Sequence, residues 1–289
     1  FTRAPIAMLA AAVVLFLFII AILAPLVAPT NPFDPASLNL MNGFTPPMTP
    51  NMFTGQSFVM GTDDQGRDLL SAIIYGLRVS LFVGVMSVLL AMGIGVSLGL
   101  VAGYVGGWLD KLIMRIADIQ LTFPSILIAM LIFGVLRGII PPDLRDEMAI
   151  FVLIAAIGLS EWVPFARTVR ATTLVEKEKE YVQAARLIGL RRGQIMWRHI
   201  LPNVIGPVLV IATITLALAI IAEATLSFLG VGAPPTEPSL GTLIRIGRDY
   251  LFSGEWWILA FPAVTLLALA LSVNLLGDWL KDTLNPRLK

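Results

Sequence analysis

Three carboxylates, Asp118, Glu161 and Glu223, stand at or inside long apolar runs of this sequence. A charge at bilayer depth is costly, so such a residue usually faces a partner group or a water-filled path. Each therefore has two readings: a group lining or gating a path, or a structural carboxylate held by hydrogen bonds. Ser227 lies one helical turn beyond Glu223 and shares its two readings. A second polar group, Asp63, Asp64, Arg67 and Asp68, packs four charges into six residues. The D-x-[DN]-x-[DN]-G spacing of a calcium loop is absent there. An ion pair inside a loop, with a helix cap beside it, is the expected arrangement.

Chemistry beyond this is thin. His199 is the only histidine and there is no cysteine, so a metal site or a nucleophilic triad would need groups from another chain. His199 is read as a packing or interface residue at a helix end. Trp197 and Arg198 beside it belong either to an interfacial belt or to a docking surface. No H-E-x-x-H, G-x-S-x-G or G-x-x-x-x-G-K-[ST] pattern occurs. The expectation is no catalytic residue, no metal and no cofactor on this chain, with any ATP and Mg held by partner subunits.

The elements that must position these residues are membrane helices. The 289 residues are 57% hydrophobic and 13% charged, against about 45–50% apolar and ~25% charged in a soluble domain. A bilayer core of ~30 Å needs about 20 apolar residues per helix. Charge-free or charge-poor runs place six spans near 5–28, 79–105, 118–136, 148–171, 203–229 and 257–279. Lipid leaves backbone groups no water, and these runs are too long for barrel strands, so the class is all-α integral membrane. The first run lacks a small-residue cleavage pattern and is read as a retained span. Phe1 rather than Met opens the chain, so a short preceding arm is expected.

Six spans put the N-terminus, 106–117, 171–202 and the C-terminus on one side. With Arg167 and Arg170 at the adjoining helix end, that side holds 14 of the 20 Lys and Arg. The positive-inside rule makes it cytoplasmic, giving an N-in, C-in protein of the plasma (bacterial inner) membrane. A net charge of +1 implies membrane lipid rather than nucleic acid as a general partner. The expected divisions are 1–28, a first span; 29–78, an irregular external segment; 79–280, the core with its cytoplasmic loop 171–202; and 281–289, a tail. Residues 230–256 read as a Pro-rich external loop able to re-enter the membrane in part. Gly95, Gly99 and Gly103 form one helical stripe that lets another backbone approach, within the molecule rather than between copies.

The polar island "EYVQAARLIGLRRGQIMWRHILPN" (180–203) interrupts this apolar chain. A basic amphipathic helix lying on lipid is the bland account. Ala184 and Ala185 instead leave a small-residue face, and Gly189 is a natural helix stop. A second short helix is expected through Ile195 and Trp197 up to Pro202, which would open the next span. The product is a helix-turn-helix knob suited to a groove on another protein.

This stretch resembles the cytoplasmic loop of ABC importer permeases, E-A-A, three residues, G, nine residues, I-x-L-P. Gln183, Ala184, Ala185, Gly189, His199, Leu201 and Pro202 hold that spacing, with Gln183 in place of Glu and His199 in place of Ile. "MGTDDQGRDLLSAIIYGLRVSLFVG" (60–84), "AEATLSFLGVGAPPTEPSLG" (222–241) and "LLGDWLKDTLNPRLK" (275–289) are similar to segments of the dipeptide/oligopeptide/nickel branch. The first span with its long external loop suits the C-type permease of a pair. The resemblance implies the type I ABC importer permease fold, with residues 183–202 as the ATPase-coupling loop. It also implies a homologous permease partner, two cytoplasmic ATPases and an external binding protein that delivers di- or oligopeptides. Two other classes were weighed. A proton-coupled secondary transporter would use Asp118, Glu161 or Glu223, but an inverted repeat is not visible. A membrane-embedded enzyme lacks a nucleophile–base pair.

Overall fold

The computed structural model describes residues 5–34, 38–234 and 236–284. Arg3, Pro235 and the last five residues of the tail, with Arg287 and Lys289, lie outside the described residues. The described residues are helical apart from loops and two isolated β-bridges. The helices are α1 (Pro5–Ile22), α2 (Leu69–Val105), α3 (Gly107–Leu121), α4 (Ser125–Ile139) and α5 (Arg145–Ser160). Then come α6 (Trp162–Glu176), α7 (Glu180–Leu187), α8 (Arg192–Phe228), α9 (Leu240–Tyr250) and α10 (Trp257–Leu284). Among the described residues α1, α2, α8 and α10 are each long and apolar enough to cross a membrane. The bent pairs α3–α4 and α5–α6 bring the candidates to six.

Helix α2 starts ten residues before its expected boundary at 79. Asp68 sets the start: its carboxylate accepts from the Ser71 N–H at 2.9 Å, an N-cap. Arg78, which ended the charge-free run, is simply an exposed residue of this helix. The 37 residues are about 55 Å long, well beyond the apolar slab. Gly106 and Gly107, at φ +68° and +65°, end α2 and turn the chain into α3.

The expected single spans 118–136 and 148–171 are each broken. The axis bends by 101° between α3 and α4 and by 41° between α5 and α6. Pro124 stands at the first break and Pro164 in the first turn of α6; neither supplies the N–H a continuous helix needs. The opposite error occurs at Pro202. The short helix expected before it is not separate, because α8 runs unbroken from Arg192 through a widened turn at Ile195–Ile200. There the Leu201 N–H reaches the Met196 carbonyl, five residues back. This π-type turn takes the proline into the helix.

The glycine stripe is an intramolecular crossing of α2 and α6. A Cβ on Gly95 would stand 2.5 Å from the Phe165 Cβ, on Gly99 2.6 Å from the Ala166 carbonyl, and on Gly103 2.7 Å from the Thr173 Cβ. Around it lies the largest core, with Leu100, Leu153, Ile157, Phe165 and Val169 buried. A second core joins α2, α8, α9 and α10 through Leu69, Leu77, Ile220, Leu240 and Leu269.

The segment before α2 is laced by its own polar groups. The Thr45 N–H donates to Thr62 Oγ1 at 2.8 Å, and that hydroxyl donates to the Asn42 carbonyl at 2.5 Å. Arg67 Nε donates to Asp63 Oδ2 at 2.6 Å with both side chains buried. The Asp63–Asp68 cluster is thus the loop ion pair and helix cap that its spacing suggests. Burial pushes the Asp63 carboxyl above its ordinary range, with Arg67 pulling the other way.

Candidate coupling knob and buried carboxylates

The knob is α7 and the turn that follows it. At its end the Leu190 N–H donates to the Ala185 carbonyl (3.2 Å) and the Gly189 N–H to the Arg186 carbonyl (3.0 Å). With Gly189 at φ +81°, this is a Schellman stop. Val182 and Ala185 are buried, in one core with Ile195 and Ile200 of α8. Ala184 is exposed. The two alanines therefore do not share an outer face: Ala185 is the inner wall, one position beyond the exposed Ala184. Leu187 and Ile188 project at the tip, 88% and 75% exposed.

The knob is tied at its base to the helices on both sides. Lys179 Nζ lies 2.6 Å from Glu176 Oε1, and the Tyr181 hydroxyl donates to Glu176 Oε2 at 2.7 Å. Asn203 Nδ2 donates to the Tyr181 oxygen at 3.2 Å and to the His199 carbonyl at 2.7 Å. Burial, helped by the Glu176 carboxylate, pushes the Tyr181 phenol up to about 12. Gln183 Nε2 donates to the Glu178 carbonyl at 2.9 Å, a bond a glutamate could not make. His199 is half-buried in the widened turn, Leu201 half-buried beside it and Pro202 exposed.

The three carboxylates are held by three different devices. Asp118 is half-exposed and ion-paired with Arg167. Glu161 sits at the α5–α6 break, hydrogen-bonded with the Ser125 side chain that opens α4. Glu223 is fully buried. Its Oε2 accepts from Ser80 Oγ and its Oε1 from Ser227 Oγ, both at 2.7 Å. Each hydroxyl then accepts a backbone N–H: Ser80 from Leu240 at 3.2 Å, Ser227 from Ala233 at 3.2 Å. One side chain thus joins α2, α8, the 230–239 loop and the start of α9. Among the described residues no three His, Cys, Asp or Glu stand together as metal ligands.

A latch between α3 and α6 joins residues not among the pairs expected from the sequence. Arg170 pairs with Asp110 at 2.5 Å, Arg167 with Asp118, and Trp162 Nε1 donates to Gln120 Oε1 at 2.8 Å. Its signal was present: Asp110 and Asp118 are about two turns apart, and Arg167 and Arg170 share a face by their three-residue spacing.

The described residues form a helical bundle with four to six candidate spans and a surface knob, and its family follows from comparison with known proteins. The family model described as binding-protein-dependent transport system inner membrane component matches residues 95–289. The N-terminal TM domain of oligopeptide transport permease C matches residues 1–47. The chain belongs to the first of these families and is a multi-pass inner-membrane transport component, as its motifs led us to expect.

Among similar proteins, the dipeptide transport system permease protein DppC of Haemophilus influenzae is 38% identical over 96% of this chain and 88% of its own length. A di/tripeptide transport system permease protein DppC of Pseudomonas aeruginosa is 39% identical over 93% and 84%. A putative peptide transport system permease protein of Brucella suis is 41% identical over 95% and 87%. Of solved structures, an inward-facing MetNI methionine ABC transporter chain superposes with a TM-score of 0.58 at 20% identity, over 75% of this chain and 98% of that one. That likeness establishes a shared fold, the type I ABC importer permease fold.

Proposed function

We propose that this chain is one of two permease subunits of an ATP-driven importer of di- or oligopeptides. A homologous permease completes the path, two cytoplasmic ATPases drive it, and an external binding protein delivers the peptide. The peptide assignment rests on the three relatives named above, one each for dipeptide, di/tripeptide and peptide transport. The observation that carries the coupling role is the Schellman-stopped knob, whose tip leaves Leu187 and Ile188 exposed while its base is bonded into α6 and α8. Apolar side chains held out on a rigid mount suit a groove on a partner. Motion of the ATPases would then be passed through Val182, Ala185 and Ile195 into the α2–α6 core. Gln183, Ala184 and Gly189 shape the knob, and His199, Leu201 and Pro202 form the turn through which it joins α8. Glu223 with Ser227 acts as a tie on the external side of the path, Asp118 joins α3 to α6 through Arg167, and Glu161 joins the α5–α6 break to α4 through Ser125.

Ala184→Arg places a charge on the exposed face of the knob. Gly189→Pro forbids the left-handed stop. In reconstituted vesicles both variants are expected to stay in the membrane but lose peptide uptake coupled to ATP hydrolysis. Normal coupled uptake by both would remove the docking assignment. Uptake that survives ATP depletion but collapses with an uncoupler would point instead to proton-driven transport through the carboxylates.

A further inference from the structure

A cleft of about 490 Å³ opens at the root of the knob, between the C-terminal end of α2 and the α7–α8 turn. Its wall carries three cations, Lys177, Arg186 and Arg192, against one carboxylate, Glu178. Tyr104, Val105, Leu190 and Ile195 complete it. The cations are not used up by the fold. Lys177 Nζ spends one of its donors on the Gly103 carbonyl at 3.1 Å. Arg186 donates once, to the Lys177 carbonyl at 3.3 Å, and lies over the Tyr104 ring, 5.3 Å from its centroid. The Arg192 guanidinium, with five N–H donors, has no partner among the described residues.

The setting selects the anion. The cleft sits where α2 ends, on the side with most Lys and Arg. Trp108, three residues beyond the end of α2, and Trp197, in the widened turn of α8, stand 70% and 52% exposed, the residue type that sits at headgroup level. Basic pockets at that level face the negatively charged leaflet. A planar guanidinium and an ammonium converging on one space bind phosphate oxygens. The geometry points to a site for the phosphate of an anionic phospholipid headgroup, wedged between α2 and the coupling knob. The exposed tip at Leu187 and Ile188 is left clear for a protein partner. A lipid so held braces the knob against α2, so the composition of the leaflet tunes how firmly the knob is mounted.

Native mass spectrometry of the detergent-purified full chain tests this without any transport assay, so its failure is distinct from failure of the importer reading. The probes are phosphatidylglycerol, phosphatidylcholine and inorganic phosphate. Phosphatidylglycerol retention is expected to fall on the order of tenfold in Arg186→Gln/Arg192→Gln, with phosphatidylcholine retention unchanged as the check on folding. Arg192→Lys should keep most of the binding. Equal phosphatidylglycerol retention by wild type and the double variant would overturn the site. Displacement of the lipid by low millimolar inorganic phosphate would make it a free-anion site and overturn the lipid assignment. Loss of ATPase co-purification with unchanged lipid retention would assign the cations to the protein partner instead.

Discussion

Glu223 shows how far a single residue can be read from its neighbours in sequence. Its place in an apolar run marked it as a costly group needing a partner. Ser227, one turn on, was visible as a candidate, but Ser80 lies 143 residues away and could not be seen by spacing. Because both carboxylate oxygens accept from hydroxyls that in turn accept backbone N–H groups, truncation orphans several buried polar groups at once. Glu223→Ala should cost about 2–3 kcal/mol, since each unsatisfied buried group costs about 1–3 kcal/mol. Thermal melting in detergent measures it. Ser80→Ala and Ser227→Ala should each add little on top of Glu223→Ala, because the three act as one network. Full additivity would mean the network does not exist.

Tyr181 carries a second prediction. Its phenol titrates at about 12, above an unfolded value near 10. A raised value means the folded knob prefers the neutral phenol. Its contribution is therefore whole below pH ~10 and is lost as pH climbs through ~12. Asp64 also raises Tyr250, so ultraviolet titration of the four tyrosines should show a late-titrating component that Tyr181→Phe reduces by one phenol. An unchanged titration curve in that variant would mean that Glu176 and Asn203 do not hold the ring as described.

At the scale of elements, legibility depended on what each pattern measures. The Gly95, Gly99 and Gly103 stripe was readable because a missing side chain is a direct statement about distance. The helix breaks were not, because counting charge-free residues measures apolarity and says nothing of backbone continuity. Pro124 lies inside an uncharged run and Glu161 inside a charge-poor one, so the charge pattern runs on across each break. Pro202 misled in the other direction, since a π-type turn can absorb a proline that a regular α-helix cannot. The knob was read correctly as a stopped helix from Gly189, but its face was misassigned. Which alanine points inward depends on Val182 and the α8 core, not on residue size. The glycine contrast is testable. Gly99→Val must push against the Ala166 carbonyl and the Val169 Cβ, 2.6 and 2.8 Å from a bare Cβ. It should destabilise by about 1–3 kcal/mol or more, as overpacking does. Gly134→Ala in α4 meets nothing within 4 Å and should be neutral or mildly stabilising, by up to about 1 kcal/mol. Equal melting temperatures for the two variants would contradict the α2–α6 crossing.

For the whole molecule, the membrane class is legible in apolarity alone, while the six expected spans correspond to four long helices and two bent pairs, and sidedness follows only from where the cations lie. Because the chain has no cysteine, that sidedness can be tested against no background. Phe53 in the external segment is 82% exposed and Leu187 at the knob tip 88% exposed. Between them lies α2, whose 37 residues reach about 55 Å and so place its two ends on opposite faces of a ~30 Å core. If the Lys- and Arg-rich face is cytoplasmic, Phe53→Cys should react with a membrane-impermeant maleimide in intact spheroplasts. Leu187→Cys should react only after the membrane is opened. The reverse pattern would invert the protein and place the knob outside, where no cytoplasmic ATPase could reach it. Labelling of both sites in sealed cells would mean that α2, α3–α4 and α5–α6 do not all cross, and the six-span arrangement would fail.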